Sequence, residues 1–183
     1  MIVKTLTGLS LKKFRPSGSH KESAMIAFFP KSDESDYVSK KIEAIDNATR
    51  PGELHVTLFY VPKAKDSELS KFVSVIRDIA KQHGPMKAKV GGFGSFHPKG
   101  DTYPLYASVD SKHLTKIREE IVVGLESVGI KYESEHGFTP HMTLAYLDKG
   151  VEAPALNFKA DLSFRAISIV WKGTQIDIDL EGA

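Results

Sequence analysis

Residues 55–60 read H-V-T-L-F-Y, and residues 141–146 read H-M-T-L-A-Y. Both stretches are rich in residues that favour β-strands, and each carries a histidine and a threonine two positions apart. Because side chains alternate between the two faces of a strand, His55 and Thr57 are expected on one face, as are His141 and Thr143. The repeated pattern therefore predicts two strands that each display an imidazole beside a hydroxyl.

The surroundings of the two motifs match as well. Apolar spacing predicts a strand and then a helix before each motif, at 24–30 and 35–46 in the first copy and at 103–110 and 111–128 in the second. Such an internal repeat indicates two half-domains related by an approximate twofold axis. We therefore expect the motif strands to meet at a central cleft.

Further elements lie between and after the two copies. An amphipathic helix is predicted from about residue 66 to residue 84, followed by a strand that begins at residue 86 and runs into the glycine-rich segment 91–96. Two more strands are predicted, at about 158–171 and 174–180, joined by a Lys172-Gly173 turn. Strands and helices in this order predict an α+β fold.

The composition is that of a globular protein. The chain has 183 residues, of which 41% are hydrophobic and 26% charged, and it has no cysteine, which excludes a disulfide, a thiolate nucleophile and a cysteine metal site. No apolar run is long enough to span a membrane, and the first ten residues lack the apolar core of a signal peptide. The sequence predicts a cytoplasmic protein without a membrane partner.

Charge is unevenly distributed along the chain. Residues 1–21 contain five basic residues and no acid, whereas the rest contains 20 basic and 23 acidic residues. A binder of long nucleic acid has a broad basic surface, so a small anionic substrate in a locally positive cleft fits better. We interpret residues 1–22 as a basic flexible arm and residues 23–183 as the two-lobed domain.

The residue types of the motifs suit phosphoryl chemistry. An imidazole has an ordinary pKa of about 6.5, so one histidine can act as a base and another as an acid near neutral pH. Threonine hydroxyls can donate hydrogen bonds to the phosphate oxygens that gain charge in the transition state. The alternative is that the threonines have no chemical role and are present only because threonine favours β-strands. The sequence has no H-E-x-x-H motif, and we predict no metal.

The two H-Φ-T-Φ motifs resemble those of the two-histidine (2H) phosphoesterase superfamily, which includes RNA 2′,3′-cyclic phosphodiesterases once named 2′-5′ RNA ligases and viral enzymes that cut cyclic nucleotides. G-F-T-P-H-M-T-L-A (137–145) is similar to the second family motif, and V-G-G-F-G-S-F (90–96) to the middle segment. The resemblance covers about residues 23–181.

The resemblance implies a bilobal fold in which two antiparallel sheets line a central cleft, with helices outside. It also implies activity without a metal or other cofactor. His55 and His141 are then the acid–base pair, and Thr57 and Thr143 bind phosphate. Which histidine acts as the base is left open.

Additional residues are candidates for binding the substrate. Phe59 is expected on the face of His55, whereas Tyr60 and Tyr146 are expected on the opposite face, against helices. The other candidates are Tyr103 and Phe96, which flank a turn, Arg50 near the end of a motif strand, and Trp171 in a C-terminal strand.

The sequence favours a metal-independent phosphodiesterase that cleaves a nucleotide 2′,3′-cyclic phosphate, a 2′-5′ linkage or a cyclic oligonucleotide. One alternative is a viral anti-defence enzyme or sponge that destroys or sequesters cyclic di- or trinucleotide signals. Another is a 2′-5′ RNA ligase. The expected partner is a nucleotide or a short RNA, and no obligate protein partner is evident.

Overall fold

The computed structural model describes residues 9–13, 21–97, 100–131 and 137–182. Within these ranges the chain forms three α-helices: α1 (Ser32–Ile42), α2 (Leu69–Ala80), which a short 3₁₀ turn (Asp66–Glu68) precedes, and α3 (Leu114–Ser127). The strands are β1 (Ser10–Lys13), β2 (Ala24–Phe28), β3 (Ala48–Thr49), β4 (Val56–Val61), β5 (Met86–Ser95), β6 (Thr102–Asp110), β7 (His141–Asp148), β8 (Ala160–Phe164), β9 (Ala166–Trp171) and β10 (Thr174–Asp179). The strand predicted at 158–171 is therefore two strands.

The strands form one open antiparallel sheet in the order β1-β10-β9-β2-β4-β7-β6-β5-β8, with β3 paired to β7. The two motif strands, β4 and β7, lie side by side at its centre and are joined through the pair Val56–Met142. The predicted α+β class and antiparallel arrangement are confirmed. The two expected sheets are the two halves of this single sheet.

The helix of each repeat packs against the strands of the other repeat. α1, from the first repeat, packs against β7 and β8 in the second half of the sheet, and α3, from the second repeat, packs against β4. α2 packs against α3, and a side chain on Gly124 would meet Val75 at 2.7 Å, so the bare glycine allows this close approach. The two halves of the sheet thus share one hydrophobic core. Among the described residues, no helix is both long and apolar enough to cross a bilayer.

The described part of the predicted flexible arm contains a strand. Residues 10–13 form β1, which pairs with β10 at the sheet edge, and Lys12 Nζ lies 2.7 Å from Asp177 Oδ2. Local sequence does not reveal this pairing, because Lys12 and Asp177 are 165 residues apart in the chain. Residues 1–8 and 14–20 lie outside the described ranges.

A β-bulge interrupts the first motif strand. Thr57 pairs with Ala27 and Phe59 pairs with Ile26, so Leu58 has no partner on β2. After such an extra residue the alternation of faces is reset. Leu58 and Phe59 consequently both point into the core.

The second motif strand has a bulge at the equivalent position. Thr143 pairs with Tyr106 and Ala145 pairs with Leu105, and Leu144 is the residue without a partner on β6. The buried–buried pattern of Leu144 and Ala145 repeats that of the first motif. The internal repeat therefore extends to a backbone irregularity.

The bulges reverse the predicted faces of the residues that follow them. Phe59 is 1% exposed and packs on the helical side, whereas Tyr60 is 43% exposed and shares the face of Thr57. Tyr146 is likewise on the face of His141 and Thr143. The expectation that Phe59 faces outward beside His55, with Tyr60 and Tyr146 opposite, was wrong because strict alternation does not hold across a bulge.

Candidate active site

The two motifs come together in a crossed arrangement. Val56 is opposite Met142 in an antiparallel pair. The same register places His55, which directly precedes β4, opposite Thr143, and Thr57 opposite His141. Each histidine therefore faces the threonine of the other motif, as expected for two half-domains about a twofold axis.

Both imidazoles are held by the same local contact. His55 Nδ1 is 2.7 Å from the Glu53 carbonyl oxygen, and His141 Nδ1 is 2.7 Å from the Thr139 carbonyl oxygen. A carbonyl oxygen only accepts hydrogen bonds, so Nδ1 must carry the proton in each ring. Nε2 then carries a lone pair when the ring is neutral and an N–H when it is charged. Either histidine is thus prepared to accept or donate a proton at Nε2.

The aromatic neighbours of the two histidines differ. The Phe29 ring lies 5.5 Å from the His55 ring at a tilt of 36°. His141 meets the edges or faces of two rings, Phe96 at 4.8 Å and Tyr106 at 5.5 Å. Phe96 and Tyr106 are themselves stacked, with centroids 4.4 Å apart. The described ring contacts of the two histidines therefore differ.

The threonines are half-buried on the cleft face. Thr57 Oγ1 donates a hydrogen bond to the Met25 sulfur at 3.4 Å. A thioether is a weak acceptor, so this hydroxyl can turn toward a better acceptor at little cost. Thr143 lies beside Tyr106 in the adjacent strand.

A cavity of about 250 Å³ connects the two motifs. Thr57 from the first motif and His141 from the second both line it, and its walls include the aromatic residues Tyr60, Phe96 and Phe138. Tyr60 and Phe96 are 43% and 37% exposed. Exposed rings beside a hydroxyl and an imidazole form a surface on which a flat heterocycle can stack.

A glycine makes room for one of these rings. A side chain on Gly94 would come within 2.7 Å of the Tyr106 hydroxyl and 2.9 Å of its ring. Bare backbone at this position of β5 lets the Tyr106 ring lie across the strand. That placement in turn sets the Phe96–Tyr106 stack against His141.

The five additional substrate-binding candidates have different locations. Phe96 lines the cavity with its ring exposed. Phe59 and Trp171 both contact Phe72 of α2 and are 1% and 7% exposed, so both pack in the core, although Phe59 also borders the cavity. The Tyr103 hydroxyl donates to the Val151 carbonyl, and Arg50 donates to two carbonyls after α1. Neither of the last two lines the cavity that holds Thr57 and His141.

Four residues at the site do not follow from the sequence analysis. Tyr60 is predicted on the opposite face, and the sequence pattern does not single out Phe29, Tyr106 or Phe138. The available signal was their proximity in sequence: Phe138 lies three residues before His141, and Phe29 directly follows β2, the strand paired with β4. In the described part of the chain, no group of three or more potential ligand side chains could hold a metal ion.

The family model of the 2′-5′ RNA ligase superfamily matches residues 34–176, which include both motifs. The chain belongs to this superfamily. The match confirms the resemblance to 2H phosphoesterases that the two motifs indicated.

The chain is 24% identical over 100 residues to the RNA 2′,3′-cyclic phosphodiesterase of Thermus thermophilus; this segment is 52% of the chain and 50% of that protein. Matches to curated relatives span between 50% and 66% of the relatives' lengths. The fold of the chain is similar to that of a solved structure from T. thermophilus, with a TM-score of 0.71, 19% identity and coverage of 87% and 98% of the two chains. E. coli LigT in complex with 3′-AMP gives a TM-score of 0.64, 13% identity and coverage of 81% and 86%.

Proposed function

We propose that this superfamily member is a metal-independent phosphodiesterase that opens a 2′,3′-cyclic phosphate at a nucleotide or RNA end, with His55 and His141 as its acid–base pair. The observation that carries the proposal is the crossed arrangement, in which each imidazole faces the other motif's hydroxyl. The name of the Thermus relative and the 3′-AMP bound to E. coli LigT support a nucleotide substrate.

The reaction needs one neutral and one charged imidazole. Nε2 of the neutral ring removes a proton from water, whose oxygen forms a bond to phosphorus. The bond from phosphorus to one ribose oxygen breaks, and Nε2–H of the charged ring gives that oxygen its proton. The product is a phosphomonoester with a free ribose hydroxyl, and the two rings have exchanged protonation states.

The two hydroxyls suit the role of phosphate ligands. Thr57 and Thr143 lie on opposite sides of the Val56–Met142 pair, so they can hold two non-bridging oxygens of one phosphate. Charge grows on these oxygens as water attacks, and donors placed there in advance stabilise the transition state more than the ground state. Thr57 gives up only a weak hydrogen bond to sulfur when it does so.

The aromatic walls suit the base of the terminal nucleotide. Tyr60 and Phe96 expose their rings at the cavity that Thr57 and His141 also line. Stacking between a base and an aromatic side chain is worth about 1–3 kcal/mol and tolerates any base. This site thus supports affinity for nucleotides without strict base preference.

The deciding experiment uses protein treated with EDTA and a panel of nucleoside 2′,3′-cyclic phosphates, 2′-5′ dinucleotides and cyclic di- and trinucleotides. The His55→Ala, His141→Ala double variant is tested beside it, with His113→Ala, an exposed histidine at the start of α3, as the control. Turnover that the double variant lacks supports the proposal. Tight binding without turnover by any of the proteins contradicts it and indicates a sequestering protein.

Ligation by the same groups is the second candidate. The name of the matched superfamily favours it, and the hydrolytic residues can also catalyse attack by a ribose 5′-hydroxyl in place of water. Incubating RNA with a 2′,3′-cyclic end and RNA with a 5′-hydroxyl end tests this. A joined 2′-5′ product would identify a ligase, and an opened cyclic phosphate a hydrolase.

A further inference from the structure

A second and larger cavity adjoins the first motif. It measures about 950 Å³ and is formed by β1, residues 29–31, residues along the whole length of α1, the loop of residues 50–54 and Gln175 of β10. Ligand sites in proteins commonly occupy about 300–1,000 Å³. The cavity is therefore large enough for a nucleotide, and it lies outside the site that Thr57 and His141 line.

Two residues connect this cavity to His55. Phe29 lines the cavity, and its ring lies 5.5 Å from the His55 ring. Glu53 also lines it, and the Glu53 carbonyl holds His55 Nδ1. A ligand in the cavity would thus contact Phe29, whose ring lies next to the His55 imidazole.

The strand register places the cavity on the same face of the sheet as the motif site. Gln175 is opposite Val170, Val170 is opposite Met25, and Met25 is opposite Tyr60. Tyr60 lines the motif cavity beside Thr57. One continuous face therefore runs from the reacting groups to the second cavity.

The residues between the two sites form a small apolar cluster of Met25, Ala27, Val170 and Phe29. The first three are buried, whereas Phe29 is partly exposed. The Phe29 ring can therefore contact a ribose or a base, whereas a phosphate needs donors. An oligonucleotide that passes over Phe29 would bring its next phosphate into the second cavity.

The walls of the second cavity are basic. Five basic and three acidic side chains line it; the basic ones are Lys12, Lys13, Lys31, Lys40 and Arg50. Lys12 is already paired with Asp177, whereas Lys31 is exposed and forms no ion pair among the described residues. The cavity therefore has cationic side chains available for an anion.

Arg50 supplies the most specific evidence. Its Nη2 donates to the carbonyl oxygens of Glu43 and Ile45, which fixes the guanidinium. Its Nη1 is buried and has no hydrogen-bond partner within the described part of the chain. Buried donors nearly always have partners in native proteins. A fixed guanidinium with an unused donor is suited to an oxyanion such as phosphate.

We infer that this cavity is a second phosphate subsite, in which Arg50 and Lys31 bind the phosphate on the 5′ side of the terminal nucleotide. The inference rests on the proposed function and narrows its substrate class: the substrate is an oligonucleotide end of at least two nucleotides. A mononucleotide fills only the motif site, whereas a longer RNA end occupies both.

The test compares two substrates, an adenosine 2′,3′-cyclic phosphate and an RNA trinucleotide with the same cyclic end. The quantity measured is the ratio of kcat/KM for the trinucleotide to that for the mononucleotide. Two variants are tested: Arg50→Lys keeps the positive charge but loses the paired N–H donors of the guanidinium, and Lys31→Ala removes an exposed ammonium group. Each is expected to lower this ratio about tenfold or more, as loss of a charge-assisted hydrogen bond would. The matched control is Lys87→Ala, an exposed lysine on β5 outside this cavity.

The outcomes separate the two proposals. An unchanged ratio in both variants would overturn the subsite while leaving the phosphodiesterase in place. If the wild type turns over neither substrate, the proposed function fails, and the subsite is judged by equilibrium binding of a 3′-phosphorylated RNA trinucleotide. Weaker binding by both variants and not by Lys87→Ala then supports it, and equal binding by all overturns it.

Discussion

Val56 of β4 lies directly opposite Met142 of β7, where the two halves of the sheet join. Both side chains are fully buried, and the four chemical groups flank them on the other face. This one pair therefore sets His55 against Thr143 and Thr57 against His141. A slip of one residue between the strands would move each histidine to the wrong face.

His55→Ala and His141→Ala are each expected to lower kcat by about 10²–10⁴-fold, because each removes one of the two proposed proton-transfer groups. The double variant should lose little more than either single one, since the two act as a unit. Steady-state rates on a nucleoside 2′,3′-cyclic phosphate measure this, with His113→Ala as the control. Additive losses would argue for independent roles.

The dependence of kcat/KM on pH should be bell-shaped, because one histidine must be neutral while the other is charged. Each single alanine variant that retains measurable activity should lose one limb of the curve. Rates between about pH 5 and pH 8, the range in which imidazoles titrate, provide the measurement in the presence of EDTA. A rate that is flat over this range speaks against acid–base catalysis by two imidazoles.

Thr57→Val should lower kcat by about 10²–10³-fold, the usual effect of removing one donor to a developing oxyanion. Thr57→Ser, which keeps the hydroxyl, should retain most of the activity. Valine matches threonine in shape, and the hydroxyl it removes donates to the weakly accepting Met25 sulfur, so thermal unfolding should change little. Equal activity of the Val and Ser variants would show that Thr57 contributes only its β-strand propensity and not its hydroxyl.

Phe59→Ala should lower stability and Tyr60→Ala should lower nucleotide binding, although the two residues are neighbours. Phe59 is buried against Phe72, so its truncation should cost about 3–5 kcal/mol of stability. Tyr60→Ala should leave stability within about 0.5 kcal/mol and weaken nucleotide binding by about 1–3 kcal/mol through lost stacking. Urea unfolding and calorimetric titration with 3′-AMP distinguish the two. The reverse result would place the bulge elsewhere.

Gly94→Ala should disturb catalysis through Tyr106, because the added methyl group meets the Tyr106 ring. Displacement of the Phe96–Tyr106 stack against His141 should lower kcat/KM by roughly 10- to 100-fold, as small misplacements of catalytic groups do. Gly91→Ala is the control, since nothing lies within 4 Å of a side chain there. If both variants keep full activity, the stack has no positioning role.

Asp177→Asn should weaken the protein at neutral pH. Burial raises the pKa of Asp177, but hydrogen bonds from Lys12, Gln175 and Ser168 together outweigh that effect, and the net pKa lies below the ordinary value. A lowered folded-state pKa stabilises the fold above the unfolded pKa of about 3.9, and this stabilisation disappears as pH falls through the folded value. The variant should therefore lose about 1–3 kcal/mol at pH 7 and show a shallower decline in acid.

Urea unfolding at neutral pH and again in acid, at about pH 3 and below the unfolded pKa, measures the contribution of Asp177. Asp179→Asn, an exposed carboxylate on the same strand, provides the comparison. A difference between the variants that is as large in acid as at neutral pH would assign the effect to packing and not to the charge.

The repeated motif was enough to predict the fold and to nominate the four central groups. Their types and spacing appear directly in the sequence, and helical periodicity located α1, α2 and α3. The faces of Phe59 and Tyr60 were predicted wrongly, because alternation is a property of regular strands and the bulge at Leu58 breaks it. Two consecutive apolar residues followed by tyrosine, L-F-Y and L-A-Y, were the available sign.

Long-range pairing was the second source of error. The strand at residues 10–13 depends on β10, and the second cavity depends on β1, α1 and the 50–54 loop coming together. Arg50 was correctly noted as a cation near the motif strand. Its fixed guanidinium and unused Nη1 follow from contacts with the end of α1 that no sequence window contains.

The internal repeat also permits asymmetry. Two identical half-length chains paired about a twofold axis would carry two imidazoles with identical surroundings. A single chain with two unlike copies of the motif is not subject to that constraint. His55 now has Phe29 beside it, whereas His141 has Phe96 and Tyr106, and Ala27 occupies in one half the place that Tyr106 takes in the other. A symmetric strand framework thus surrounds its two imidazoles with different side chains, and this difference is what would let one ring act as the base and the other as the acid.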